Sequence, residues 1–130
     1  MKIWKLLIGA VALTAAASSH AFAGASDFAF EALKQQVKKG NAAIVAVRLL
    51  DKRTGKSVPD AIIVAKRIDM APENMADMAS PLNAAPSNEP GVYAFKTNLS
   101  MAGGWLLTIS AKVQGEPETV TGKVTFKAID

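Results

Sequence analysis

"WLLTISAKV", residues 105–113, alternates strictly. Trp105, Leu107, Ile109, Ala111 and Val113 fall on one side of an extended chain, and Leu106, Thr108, Ser110 and Lys112 on the other. That period of two is the mark of a strand buried on one face. "VTGKVTFKA", residues 120–128, repeats the pattern. Val120, Val124, Phe126 and Ala128 point one way, with Gly122 interrupting their row as a candidate bulge. "IVAVRLL" (44–50) places Val45, Val47 and Leu49 together, and "VYAFKT" (92–97) reads as a short strand after the turn Pro90-Gly91. "AIIVAKRI" (61–68) is apolar on both faces and is expected at the centre of a sheet. "KKGN", "DKRTGK", "MAGG" and "QGEPE" punctuate these runs. Strands at this spacing predict an all-β fold, a small antiparallel immunoglobulin-like β-sandwich.

"FAFEALKQQVKKG" (28–40) fits two descriptions. Phe30, Leu33 and Val37 make a helical stripe, but a sandwich needs an edge partner, so a first strand is expected near residues 28–36. Residues 69–90, "DMAPENMADMASPLNAAPSNEP", lack strand character and hold four of the six prolines. They read as a long Met- and Pro-rich loop, of a length often tied to function. Pro72 suits the first position of a short helix, which would set Met75 and Met78 on one face.

The chain opens with the positive "MKIWK", then twelve apolar residues, "LLIGAVALTAAA", then "SSHAFA". The apolar run is shorter than the roughly 20 residues that span a bilayer. Together with the A-x-A pattern at Ala21-Phe22-Ala23 it reads as a secretory signal over residues 1–23, cleaved after Ala23. Residues 24–130 are then one domain with a single modest core, expected in the periplasm.

Lys2 and Lys5 would leave with the leader, so 13 basic residues would face 11 acidic ones. That balance is no footprint for nucleic acid. The chain has no cysteine, and its one histidine, His20, lies in the leader. Thiolate zinc sites, Cys-His pairs and Ser-His-Asp triads are therefore absent from residues 24–130. Nor can a free amino terminus at Gly24 build a copper(II) site, because its third residue would be Ser26 and not histidine. No nucleophile has a visible base, and the chain is read as not an enzyme.

Met70, Met75, Met78 and Met101 all lie outside the clear strands. Thioether sulfur is a soft neutral ligand that selects copper(I) over zinc, calcium or magnesium. It has no proton to lose and forms no disulfide. Asp69, Glu73 and Asp77 nearby would add long-range attraction for a cation. The same methionines would also serve as packing that plugs one end of a sandwich. The 22-residue connection from Asp69 to Pro90 is long enough to cross the sandwich. The next strand would then start from the far end, and Met101 would return to the end that carries the other methionines.

From about Gly40 onward the chain resembles the FixH-like or YtkA-like family of exported immunoglobulin-like domains. The resemblance rests on the order of four elements: "RLLDKRTGKSVPDAIIVAKRIDM", the Met-rich stretch, "EPGVYAF" and "SMAGGWLLTISA". It implies copper or heavy-metal handling, or assembly of copper-containing oxidases. The family's compact Met-Pro-x-Met-Gly-Met motif would correspond to Met70, Met75 and Met78, with Met101 from the Met-Ala-Gly element. Here the motif is the wider "MAPENMADM", without glycine or a nearby histidine.

The expectation is an exported accessory domain holding copper(I) through Met70, Met75, Met78 and Met101. Its expected partner is a metal transporter or an oxidase assembly component, with membrane contact only through that partner. The alternative is a metal-free interaction module that uses the Met-rich stretch as an adaptable apolar surface.

Overall fold

The computed structural model describes residues 25–130, and the leader expected at residues 1–23 lies outside them. Among the described residues the chain runs through β1 (Phe28–Ala32), β2 (Gln36–Lys38), β3 (Gly40–Asp51), β4 (Lys56–Ser57) and β5 (Ile62–Met70). After a 3-10 turn at Ala71–Glu73 come β6 (Met75–Ser80), β7 (Leu82–Ala85), β8 (Val92–Leu99), β9 (Gly103–Lys112) and β10 (Val120–Ile129).

Two sheets form. One has the order β1-β3-β8-β7, with β4 paired to the end of β3; the other has the order β2-β10-β9-β5-β6. Every pairing is antiparallel except that of β2 with β10. The alternating rows turn inward as their period demands. Trp105, Leu107, Ile109 and Ala111 of β9 meet Val45, Val47 and Leu49 of β3, and Val120, Val124, Phe126 and Ala128 of β10 join the same core. The all-β sandwich expected from the sequence is the fold observed.

Four local expectations are corrected. The first strand does not run unbroken over residues 28–36. β1 pairs with β3, the chain then leaves that sheet, and β2 pairs with β10 in the other. Lys127 N–H donates to the Gln35 carbonyl at 2.7 Å and Lys39 N–H to the Ile129 carbonyl at 2.8 Å, so one short segment closes the edges of both sheets.

The second correction concerns residues 69–90, which are not one long loop. β6 pairs with the end of β5, and β7 with β8. Pro81 lies between them where the chain changes sheet, a place that needs no ladder hydrogen bond from it. "MADMAS" and "LNAA" contain no β-branched residue. Their strand state comes from the partner strands and not from local preference.

Third, β5 is central only at its end. β6 covers Ile68–Met70, whereas Ile62 and Val64 are 61% and 49% exposed. Fourth, Gly122 marks no bulge. The β9–β10 register runs without a shift from Val120 to Ala128. Gly122 is there for space, since a Cβ on it would stand 2.8 Å from Cδ2 of Phe30.

Candidate functional site at the methionine pole

β5 ends, β6 begins and β9 begins at one pole of the sandwich. Met70 pairs with Met75 across β5 and β6, while Asp69 pairs with Leu106 of β9. β8 starts at the opposite pole, where the Gly91 carbonyl accepts from Leu49 N–H at 2.9 Å and Tyr93 reaches the start of β5. The connection between β5 and β8 therefore crosses the sandwich by way of β7, and the β8–β9 turn brings Met101 back to the methionine pole. This is the crossing path expected from the length of that connection.

A bracket of hydrogen bonds shapes the turn after β5. Asp69, only 6% exposed, accepts Ala71 N–H at 2.9 Å through Oδ1 and Arg67 Nε at 2.8 Å through Oδ2. Arg67 Nη2 also donates to the Ala76 carbonyl at 2.7 Å, tying β6 to β5. Pro72 lies in a 3-10 turn, but as its second residue after Ala71 and not its first, and the turn is only three residues long and ends at Asn74, whose φ of 60° is left-handed. Met75 and Met78 follow it in strand β6, so they do not share the face of a helix.

Glu73 connects this turn to the Met101 segment. Its Oε2 accepts Gly104 N–H at 2.8 Å. Gly103 has a φ of +131°, and a Cβ there would lie 3.1 Å from Glu73 Oε2 and 3.3 Å from the methyl carbon of Met70. Only glycine suits that backbone and that space. On the other side of the turn, Trp105 Nε1 donates to the Met101 carbonyl at 3.0 Å, so the main core aromatic also fixes the Met101 turn.

The four methionines share the pole but differ in access. Met70 is 0% exposed and belongs to the core; Met75 packs partly buried against it. Met78 and Met101 are 37% and 41% exposed. Of the three acids expected to attract a cation, Asp69 and Glu73 serve as hydrogen-bond acceptors, and Asp77 is exposed. Among the described residues, no group of three or more His, Cys, Asp or Glu is placed to hold a metal ion.

The sequence reading missed the Glu73–Gly104 link and the Arg67–Asp69 bracket. The bracket had a local signal, an Asp two residues before an acceptor-seeking N–H at a proline turn. The link had none, because it joins residues 31 apart in the chain.

A family model described as YtkA-like matches residues 22–110. No curated protein is matched by the sequence. Among solved structures, a ZirS C-terminal domain is similar at 11% identity and a TM-score of 0.47, covering 100% of this chain and 86% of that chain.

Proposed function

We propose a function from one premise: the chain belongs to the YtkA-like family. In this reading it is a small, non-catalytic accessory domain, exported to the periplasm, that holds copper(I) as cargo at the methionine pole. Met78 and Met101 offer thioethers to solvent, Met75 is half-buried beside Met70, and Met70 is the packed wall against which the Met101 segment rests. A neutral, soft donor set suits copper(I) and discriminates against hard cations. The expected recipient is a metal transporter or an oxidase assembly component.

One observation carries this reading. The Glu73–Gly104 hydrogen bond fastens the Met101 turn against the turn that leads into Met75, although the two segments are far apart in sequence. Core packing needs Met70 there. It does not require Met78 and Met101 to remain exposed at the same end.

The test uses purified residues 24–130, which contain every described strand and the whole core. Copper(I) is supplied through a chromophoric chelator that competes for the ion. The domain is expected to retain copper(I), and the variant M75L/M78L/M101L to stay folded and lose it. Equal retention by parent and variant would sink the reading. Should the parent retain no copper(I), the exposure of Met78 and Met101 favours the second reading, an apolar contact for a protein partner.

A further inference from the structure

The charges of the molecule are not spread evenly between its sheets. On the outward face of the β2-β10-β9-β5-β6 sheet, Lys112, Lys123 and Lys127 are all exposed. In register, Lys123 stands opposite Thr108, which stands opposite Arg67; Lys127 stands opposite Gly104 and next to Gln36 of β2. Between the lysines lie the hydroxyls of Thr108, Ser110, Thr121 and Thr125 together with Leu106, and Ser110 and Thr121 are bonded to one another at 2.9 Å. The acids on these strands are Asp69, which is occupied by Arg67, and Asp77 on β6; Glu118 lies in the β9–β10 connection. Elsewhere Arg48 pairs with Glu89, Arg53 with Asp51 and Glu116, and Lys39 with Asp130, while the other exposed lysines are scattered over loops and both sheets.

One corner of this face is apolar. Ile62 stands opposite Lys112 in register. Val64 is the extra residue where the β5–β9 register shifts between Ile63 and Ala65, and a bulge re-aims the side chain it carries. Ile62 and Val64 are 61% and 49% exposed. Neither is needed by the core.

We propose that this face docks on an anionic lipid bilayer, with the lysines over the headgroups and Ile62 and Val64 dipping into the interface. A flat cationic surface with aliphatic side chains at one corner matches the two forces that hold peripheral proteins to membranes. No helix among the described residues is long and apolar enough to cross a membrane. The contact is direct, in place of the purely partner-mediated contact expected from the sequence. It uses a different surface from the methionine pole and stands apart from the copper reading.

Each lysine near an anionic surface is worth roughly fivefold in affinity. Cosedimentation of residues 24–130 with vesicles of mixed phosphatidylglycerol and phosphatidylcholine is expected to show binding that weakens with salt. Phosphatidylcholine vesicles should bind far less. K112Q/K123Q/K127Q should lose affinity on the order of 100-fold. I62S/V64S should also bind more weakly, which attraction by charge alone would not produce. All five side chains are exposed, and unchanged thermal melts would show that the variants fold. Failure to bind the anionic vesicles, or undiminished binding by the lysine variant, would overturn the proposal. So would tight binding of dextran sulfate with none to vesicles, which would assign the face to soluble polyanions.

Discussion

Glu73 Oε2 accepts the backbone N–H of Gly104 at 2.8 Å, and this contact joins the turn after β5 to the first residues of β9. Glu73→Ala leaves that N–H without its carboxylate partner and should cost about 1 kcal/mol. Glu73→Gln keeps an acceptor oxygen and should cost less. If the copper(I) reading holds, Glu73→Ala should also weaken retention, because the Met101 turn loses its fastening. Denaturant titration of the two variants, alongside the chelator competition, checks both effects.

Tyr93 is the only tyrosine, and its hydroxyl sits between two backbone groups. It accepts from Ala61 N–H at 2.9 Å and donates to the Val58 carbonyl at 2.8 Å. Tyr93→Phe orphans both groups in a partly buried place and should cost about 1–2 kcal/mol. Burial raises the phenol above its ordinary value of 10.0. The folded chain thus holds the proton to higher pH than the unfolded chain, so this contribution is whole below pH 10.0 and fades as pH climbs through the folded value. Ultraviolet titration of the folded protein should place the phenolate midpoint above 10.0, and a midpoint at or below it would contradict this.

Gly122→Ala drives a methyl group to 2.8 Å from the Phe30 ring. Overpacking of this kind should cost about 1–3 kcal/mol. Phe30→Leu removes the opposing ring edge, so the double variant should be more stable than the sum of the two single losses predicts. Additive losses would show that Gly122 is present for some other reason.

Trp105→Ala should cost about 3–5 kcal/mol, since Trp105 is 1% exposed in the middle of the core and its indole also holds the Met101 carbonyl. Met75→Leu and Met78→Leu keep most of their volume and should each cost less than about 1.5 kcal/mol. Melting of the three variants separates the core from the rim of the pole. A methionine variant as damaging as Trp105→Ala would mean that the rim is core after all.

At low pH the link between Asp51 and Arg53 should matter. The Arg53 side chain, donating at 3.1 Å and 3.0 Å, holds the Asp51 carboxyl below its ordinary value of 3.8. A depressed carboxylate contributes stability above its unfolded value and loses it as pH falls through the folded one. The gap in stability between the parent and Asp51→Asn should therefore narrow as pH drops below 3.8. A gap that stays constant to the lowest pH would argue against the link.

The strands rich in β-branched and aromatic residues were legible in the sequence. β3, β9 and β10 carry their facing in their own alternation, and every inward residue read from "WLLTISAKV" inside β9 is buried, whereas β8 was legible only as a strand, with burial that changes phase between Ala94 and Phe95. The same reading failed for β6 and β7. Methionine, alanine and asparagine carry little strand preference, and those segments extend only because β5 and β8 offer them free backbone partners. Gly122 misled for a related reason. A missing side chain signals that something comes close, but not whether it is a kinked backbone or, as here, the ring of Phe30.

The sequence by itself determined the fold class and the poverty of catalytic groups, since period-two alternation and the absence of cysteine and of any histidine after His20 are local facts. It read four methionines as lying outside the clear strands, but Met70 ends β5 and Met75 and Met78 lie in β6, so only Met101 stays in a turn. Only the tertiary structure decided that Met70 is sealed in the core while Met78 and Met101 stay exposed, and that Lys112, Lys123 and Lys127 share one outward face with the Ile62 corner. Access and shared faces depend on which strands pair and in what register. Backbone hydrogen bonds between distant segments set that, and no single segment encodes both partners.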